Sequence, residues 1–270
     1  MKNINLTLLF LGLFLSIQVL SQSNLIYAKV RHDATGRCGD STMTTLTYYI
    51  RPDILRIDFR GPKANSSMIY QPAKQRVWVL YHHEKRFYSM NKEDIENYDS
   101  QIKGAAEEMR LRLEKLSERE RKENMELFPA GSPFLWKDIN YQGVKKKDSL
   151  ISQLICKRYD AVLEDGSRRR AYLNSFKGTG INESDLGILR QFSDFMGKGS
   201  KVMSASLDFS SFYKWDEGGY PVLVETWKGD ELCNTLWMSM LRRGSKKDKF
   251  FTIPIEYAKM NNPMGIGPED

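Results

Sequence analysis

At 270 residues, 41% of them hydrophobic, the chain is long enough for one large β domain or two smaller ones. Beyond an N-terminal apolar run, no stretch reaches the ~20 apolar residues of a membrane-spanning helix. The formal charge of +7 sits partly in local clusters; nucleic-acid binding would need such charges on one face with aromatic or groove-reading partners, and no nucleic-acid partner is expected.

The first residues set the compartment. Lys2 precedes an apolar run from Leu6 to Leu15, and Val19-Leu20-Ser21 offers a small-residue cleavage site. This is the pattern of a secretory signal peptide over residues 1–21, cleaved near Ser21. It predicts an exported protein, periplasmic or envelope-associated. Removing Lys2 lowers the formal charge by one, to +6.

From Leu25 to Met90 the chain reads as a β meander. Leu55, Ile57 and Phe59 alternate with Arg56 and Asp58, the period of a strand with one buried face. Arg51-Pro52-Asp53 makes a turn before it, Gly61-Pro62 ends it, and Pro72 turns the chain again. "SSMIY", "VWVLY" and "RFYSM" supply further short strands. Asn91 then caps a helix, with Asp94 three residues on. Ile95, Tyr98, Ile102, Ala105, Met109, Leu113 and Leu116 follow at helical spacing. The helix is expected over about 91–127, with Gly104 as a possible break and a solvated, charged end.

The hairpin signal is strongest in the next β segment. Ile155 to Leu163 and Arg168 to Phe176 flank Asp165-Gly166. Along the first strand Cys156 alternates with Arg158 and Asp160, so it is placed on the less apolar face, with Ile155, Tyr159, Ala161 and Leu163 packing. A second helix is expected over about 182–196, with Asn182 as N-cap, Ile181 and Leu186 as a staple, and Leu189 and Phe192 in its stripe. The last third returns to β structure. Met203, Ala205, Leu207 and Phe209 share a face; "YPVLVETW" and "ELCNTLWMSML" pair across Lys228-Gly229-Asp230; "FFTIPIEYAKM" closes the chain. Residues 261–270 are expected to be a disordered tail, leaving 22–260 as a single domain.

The catalytic inventory is thin. The histidines are His32, His82 and His83, and adjacent histidines at a hairpin turn suit solvent better than one shared metal ion. No nucleophile elbow, P-loop or paired-histidine metalloprotease motif occurs. The expectation is a protein that is not an enzyme and needs no cofactor or metal, with a hydrolase built from carboxylates that converge in space as a lesser alternative. Three cysteines in an exported chain allow one bridge and one spare thiol. Cys38, Cys156 and Cys233 leave the pairing open, with Cys156 either free or bridged, for which Cys233 is the favoured partner.

Five stretches in order resemble one family: "LTYYIRPDILRIDF", "SSMIYQPAKQRVWVLYHHEKRFYSM", "ICKRYDAVLEDG", "GGYPVLVETW" and "FTIPIEYAKM". They are similar to exported bacterial proteins of the domain of unknown function 4412 family, grouped with the lipoprotein-carrier (LolA/LolB-like) folds. The chain departs from it at "RRRAYLNSFKGTGI", where the family more often has a short tryptophan-containing strand. The resemblance implies a mainly β fold: an antiparallel sheet curled into a half-barrel, its concave side covered by the two helices. It also implies a cavity for lipid or acyl chains. Leu55, Ile57, Phe59, Met203, Leu207 and Phe209 are the candidate lining, with Leu189 and Phe192 as lid. The partners expected are a hydrophobic ligand or lipoprotein. The basic clusters Lys145-Lys146-Lys147, Arg168-Arg169-Arg170 and Arg242-Arg243 would offer contact with an anionic membrane surface. The alternative is an envelope scaffold whose core is filled.

Overall fold

The computed structural model describes residues 25–34, 42–62, 64–120, 144–145, 148–162, 168–197 and 219–261. The signal peptide over 1–21, the strand carrying Met203, Leu207 and Phe209, and residues 262–270 of the expected tail lie outside them.

Among the described residues thirteen strands form one open sheet in the order β13-β6-β5-β4-β3-β2-β1-β12-β11-β10-β9-β7, with β8 added on β9. The meander is β1 (Leu25–Ala34), β2 (Thr42–Ile50), β3 (Leu55–Gly61), β4 (Ala64–Gln71), β5 (Arg76–Tyr81) and β6 (Arg86–Asn91). The short β7 (Val144–Lys145) and β8 (Ser149–Ile151) precede β9 (Leu154–Val162) and β10 (Arg168–Asn174). Then come β11 (Tyr220–Lys228), the 14-residue β12 (Glu231–Gly244) and β13 (Ala258–Lys259). β12 joins the two halves by pairing with β1 on one side and β11 on the other. Every pair is antiparallel except β13 with β6.

The sheet is curled and does not close, as the family resemblance implies. Bulges at Lys29/Val30, Tyr172/Leu173 and Thr226/Trp227 lie in its central and second-half strands. An extra residue on one strand of a pair sharpens the local bend and twist.

Two helices were expected to cover it; among the described residues the second packs on the sheet, whereas the first has one buried side chain, Ile95, in its opening turn. α1 (Lys92–Glu114) starts at Asn91, whose side chain accepts from the Asp94 N–H while the Asp94 carboxylate accepts from the Asn91 N–H. The helix passes through Gly104 unbroken and stops short of the expected residue 127. The reason is a second cap: the Ser117 N–H and hydroxyl both donate to Glu120 Oε2, at 2.9 and 2.6 Å. That pairing starts a new turn where the apolar stripe ends. α2 (Gly187–Gly197) is shorter than expected as well. Residues Glu183–Leu186 form a 3-10 turn in which the Gly187 N–H donates to the Ser184 carbonyl, so Asn182 opens that turn and not the α-helix.

The main core lies on one sheet face. Ile26, Tyr48, Ile50, Leu55, Ile57, Val77 and Met90 pack there with Leu189 and Phe192 of α2. On the opposite face of the meander, Leu25, Ile54, Ile69 and Leu80 pack under Phe251. This C-terminal segment was expected to be a strand. It is a 3-10 turn, Asp248–Phe251, followed by the two-residue β13, because Pro254 interrupts the ladder.

Candidate functional site

The structure brings Leu55, Ile57, Leu189 and Phe192 together, each 1% exposed or less. Phe59 is partly buried against the same cluster. α2 provides the complement. Its apolar positions Ile188, Leu189, Phe192, Phe195 and Met196 are buried, while Arg190 and Gln191 face solvent. Tyr70 of β4 receives two rings of the helix, with centroids 5.2 Å from Phe192 and 5.1 Å from Phe195. At the other end Arg243 of β12 clamps the preceding turn, donating to the Gly180 carbonyl at 2.7 Å and to Asp185 at 2.6 Å. The described part of the concave face is thus occupied by the chain's own helix.

Cys156 and Cys233 do not pair. Cys233 is disulfide-bonded, whereas Cys156 is a free thiol with 0% exposure. β9 and β12 are separated by β10 and β11. Three strand spacings come to ~14 Å, and a disulfide needs Cα atoms within ~7 Å. The remaining cysteine, Cys38, lies outside the described residues. The expected face of Cys156 is also corrected: Ile155 is 73% exposed and Cys156 is in the main core. β8 folds back on β9, setting Ser149 opposite Cys156 and Leu150 opposite Ile155, and Ile151 and Leu154 join the core beside the thiol. Burial holds the Cys156 thiol above its ordinary pKa.

His82 is not a solvated turn residue. Its Nε2 lies 2.7 Å from Ser67 Oγ and its Nδ1 2.7 Å from the Tyr257 hydroxyl. Ser67 Oγ also donates to Asp58 at 2.6 Å and accepts from Arg56 at 3.0 Å. Arg56 in turn donates to Asp58 at 2.7 Å and to the Phe250 carbonyl at 2.5 Å, with its guanidinium 4.2 Å from the Phe250 ring centroid. The network ties the C-terminal segment to the meander. Partial burial, Arg56 and Arg60 lower the pKa of His82.

One signal in the sequence foretells such pairs. Arg-x-Asp occurs at Arg31/Asp33, Arg51/Asp53, Arg56/Asp58 and Arg158/Asp160, and each forms an ion pair. In the three pairs that lie in strands, positions two apart share a face; Arg51 and Asp53 meet in the turn between β2 and β3. Around Arg158/Asp160 this grows into a charged row: Asp160, Arg170 and Glu225 face one another across β9, β10 and β11. Bonds from Arg158 at 2.9 and 2.6 Å hold the Asp160 carboxyl below its usual pKa.

The basic clusters are largely engaged within the molecule. Arg168 binds Asp230 and the Gly229 carbonyl, Arg170 meets Asp160 and Glu225, Arg242 lies over Tyr27, and Arg243 holds Asp185. Among the described residues no group of His, Cys, Asp and Glu could hold a metal ion, and no helix is long and apolar enough to cross a membrane.

No family model matches the chain, and no curated protein matches it. Solved structures with a related outline include an uncharacterized conserved protein from Thermus thermophilus, at 7% identity and a TM-score of 0.44 over 88% of this chain and 90% of that one. A LolA superfamily protein from Nitrosomonas europaea gives 9% identity and a TM-score of 0.30 over 84% and 90%. The MucA/MucB complex of Pseudomonas aeruginosa gives 9% and 0.36 over 86% of this chain but only 56% of that one. With TM-scores below 0.5 these likenesses carry no functional conclusion, and the curled open sheet is defined by its own strand order and register.

Proposed function

We propose that this chain is an exported, non-enzymatic binding protein of the cell envelope, of the domain of unknown function 4412 kind, whose curled sheet takes up an acyl chain or lipoprotein tail when α2 swings aside. The observation behind this reading is that the concave apolar face is matched by one 11-residue amphipathic helix. A helix this short is marginal alone and is held by its packing. Leu189 and Phe192 each contribute ~1.5–3 kcal/mol by burial, which a ligand of similar apolar area would replace.

A non-enzymatic role agrees with the Ser67–His82 contact. Ser67 has 0% exposure, and Asp58 bonds the serine directly and not the histidine. A catalytic serine needs substrate access and a carboxylate that orients the base.

The test is purification from an exporting host, native mass spectrometry for co-purified lipid, and titration with a fluorescent fatty acid. Lipid in the native spectrum, or uptake of the probe that strengthens in Phe192→Ala, where the helix competes less for the apolar face, supports the reading. Absence of both ends it. The zero exposure of Leu189 and Phe192 favours a second reading, an envelope scaffold with a permanently filled core. Under that reading, amides 187–197 exchange only on global unfolding; under the first they exchange through local opening.

A further inference from the structure

We propose that the outer face of β12, β1 and β2, the side of the sheet turned away from α2, docks on an anionic membrane surface. Three of the large apolar side chains that stand exposed among the described residues gather there: Met43 at 51%, Trp237 at 40% and Met240 at 38%. Register places them together. Trp237 lies opposite Arg31, Met240 opposite Lys29, and Met43 opposite Asp33. The bulge at Lys29/Val30 takes up the extra residue between Trp237 and Met240, so both project on one side. The alternate residues Val30, Leu46 and Met238 point the other way, into the main core with α2. An exposed apolar cluster rimmed by polar groups marks a protein or a membrane interaction site.

The charge around the cluster selects between those two. Lys29, Arg31 and Arg242 lie on this face of β1 and β12, and the acid beside them, Asp33, is held by Arg31 at 2.8 Å. Arg242 stands 5.6 Å over the Tyr27 ring and Lys246 5.8 Å over Tyr49; a cation over an aromatic face keeps its charge. Arg60, opposite Thr45 on the next strand, is exposed as well. The neighbouring carboxylates are engaged, Asp58 with Arg56 and Glu225 with Arg170, and Glu231 sits at the far tip of β12 opposite Lys228. The face is therefore net positive. A layer of anionic headgroups is complementary to it and receives a convex face without a matching shape.

The side-chain types fit the same partner. A tryptophan rests at the boundary of headgroups and acyl chains, its apolar body inward and its N–H toward water. Lysine and arginine lay their apolar stems along that layer and lift their charged ends to the phosphates. Farther along this face the C-terminal segment covers Leu25, Ile54, Ile69 and Leu80. It leaves Trp237 and Met240 exposed.

The experiment is co-sedimentation of the full exported chain with two kinds of vesicle, pure phosphatidylcholine and phosphatidylcholine with about one third phosphatidylglycerol, in about 0.1 M NaCl. Expected is sedimentation with the anionic vesicles and not with the neutral ones. The double change Lys29→Gln and Arg242→Gln removes two cations worth about fivefold each, so binding should weaken about 25-fold. Trp237→Gln should reduce it as well. Thermal melts establish that the variants fold, and if Trp237→Gln does not, the charge variant alone decides. No sedimentation with anionic vesicles overturns the proposal and leaves the patch to a protein partner. Binding that is unchanged in Lys29→Gln/Arg242→Gln overturns it too, since another face would then be responsible. Both vesicles carry the same acyl chains, so the preference reads headgroup charge at the outer face, and its failure is distinguishable from failure of the acyl-chain reading.

Discussion

Ser67 Oγ and His82 Nε2 lie 2.7 Å apart, and the neighbouring bonds fix the direction of the proton between them. The Ser67 hydroxyl donates to Asp58, so it accepts from His82. Nε2 therefore carries the hydrogen and Nδ1 accepts from the Tyr257 hydroxyl, which makes one directed chain from Tyr257 to Asp58. Ser67→Ala removes its centre and leaves His82 and an Arg56 N–H each short of a partner. A loss of ~1–3 kcal/mol is expected, read as a fall of about 2–4 °C in Tm per kcal/mol.

The same histidine gives a pH dependence. Its surroundings include Arg56, Arg60, Asp58, His83 and the Tyr257 hydroxyl, and its folded pKa lies below the ordinary value of 6.5. Protonation therefore favours the unfolded chain. The stability His82 contributes is complete above about pH 6.5 and is lost as pH falls toward the folded value. Thermal melts between about pH 7 and 5 should fall more steeply for wild type than for His82→Gln; parallel curves would show that another group governs that range.

Thiol counting checks the cysteine arrangement. In the native state Cys156 is buried and its pKa raised, so a maleimide should leave it unmodified. In denaturant without reductant one thiol per chain should react, and after reduction all three cysteines. Three reactive thiols without reductant would remove the bridge.

The β8–β9 turn is improvable. Ser152 and Gln153 have φ of +48° and +68°, a tight hairpin turn built without the Asn-Gly pair that this geometry prefers. L-residues with a Cβ are disfavoured there by ~1–2 kcal/mol each. The double change Ser152→Asn and Gln153→Gly should raise Tm by a few degrees, and a fall would place the side chains in contacts worth more than the strain.

Phe192→Ala removes the fully buried ring that meets Tyr70 at 5.2 Å. A loss of ~3–5 kcal/mol is expected, measured by denaturant unfolding. A loss under ~1 kcal/mol would mean that α2 contributes little to stability.

The sequence displayed much of this fold because strand and helix periods are local. Leu55, Ile57 and Phe59 announced a strand with an apolar face, though Arg56 and Asp58 on the other face are buried as well, and Asn91 with Asp94 announced the start of α1. The β11–β12 hairpin was equally legible from Lys228-Gly229-Asp230, where Gly229 takes a φ of +60°. Misreadings arose where a distant segment intervened. Cys156 read as facing outward because its neighbours Arg158 and Asp160 are charged, but β8 and the core cover it. His82 read as solvated because it sits in a turn, but Tyr257, 175 residues away, packs against it.

By itself the sequence determined that the chain is mostly β, where most of the meander's strands lie, and which face of each is apolar, since alternation and turn chemistry act over a few residues. Only the tertiary structure decided which charges meet, that Cys156 is free, and that Tyr257 reaches His82. Those are relations between segments far apart in the chain, fixed by register and curl, and no local pattern encodes either.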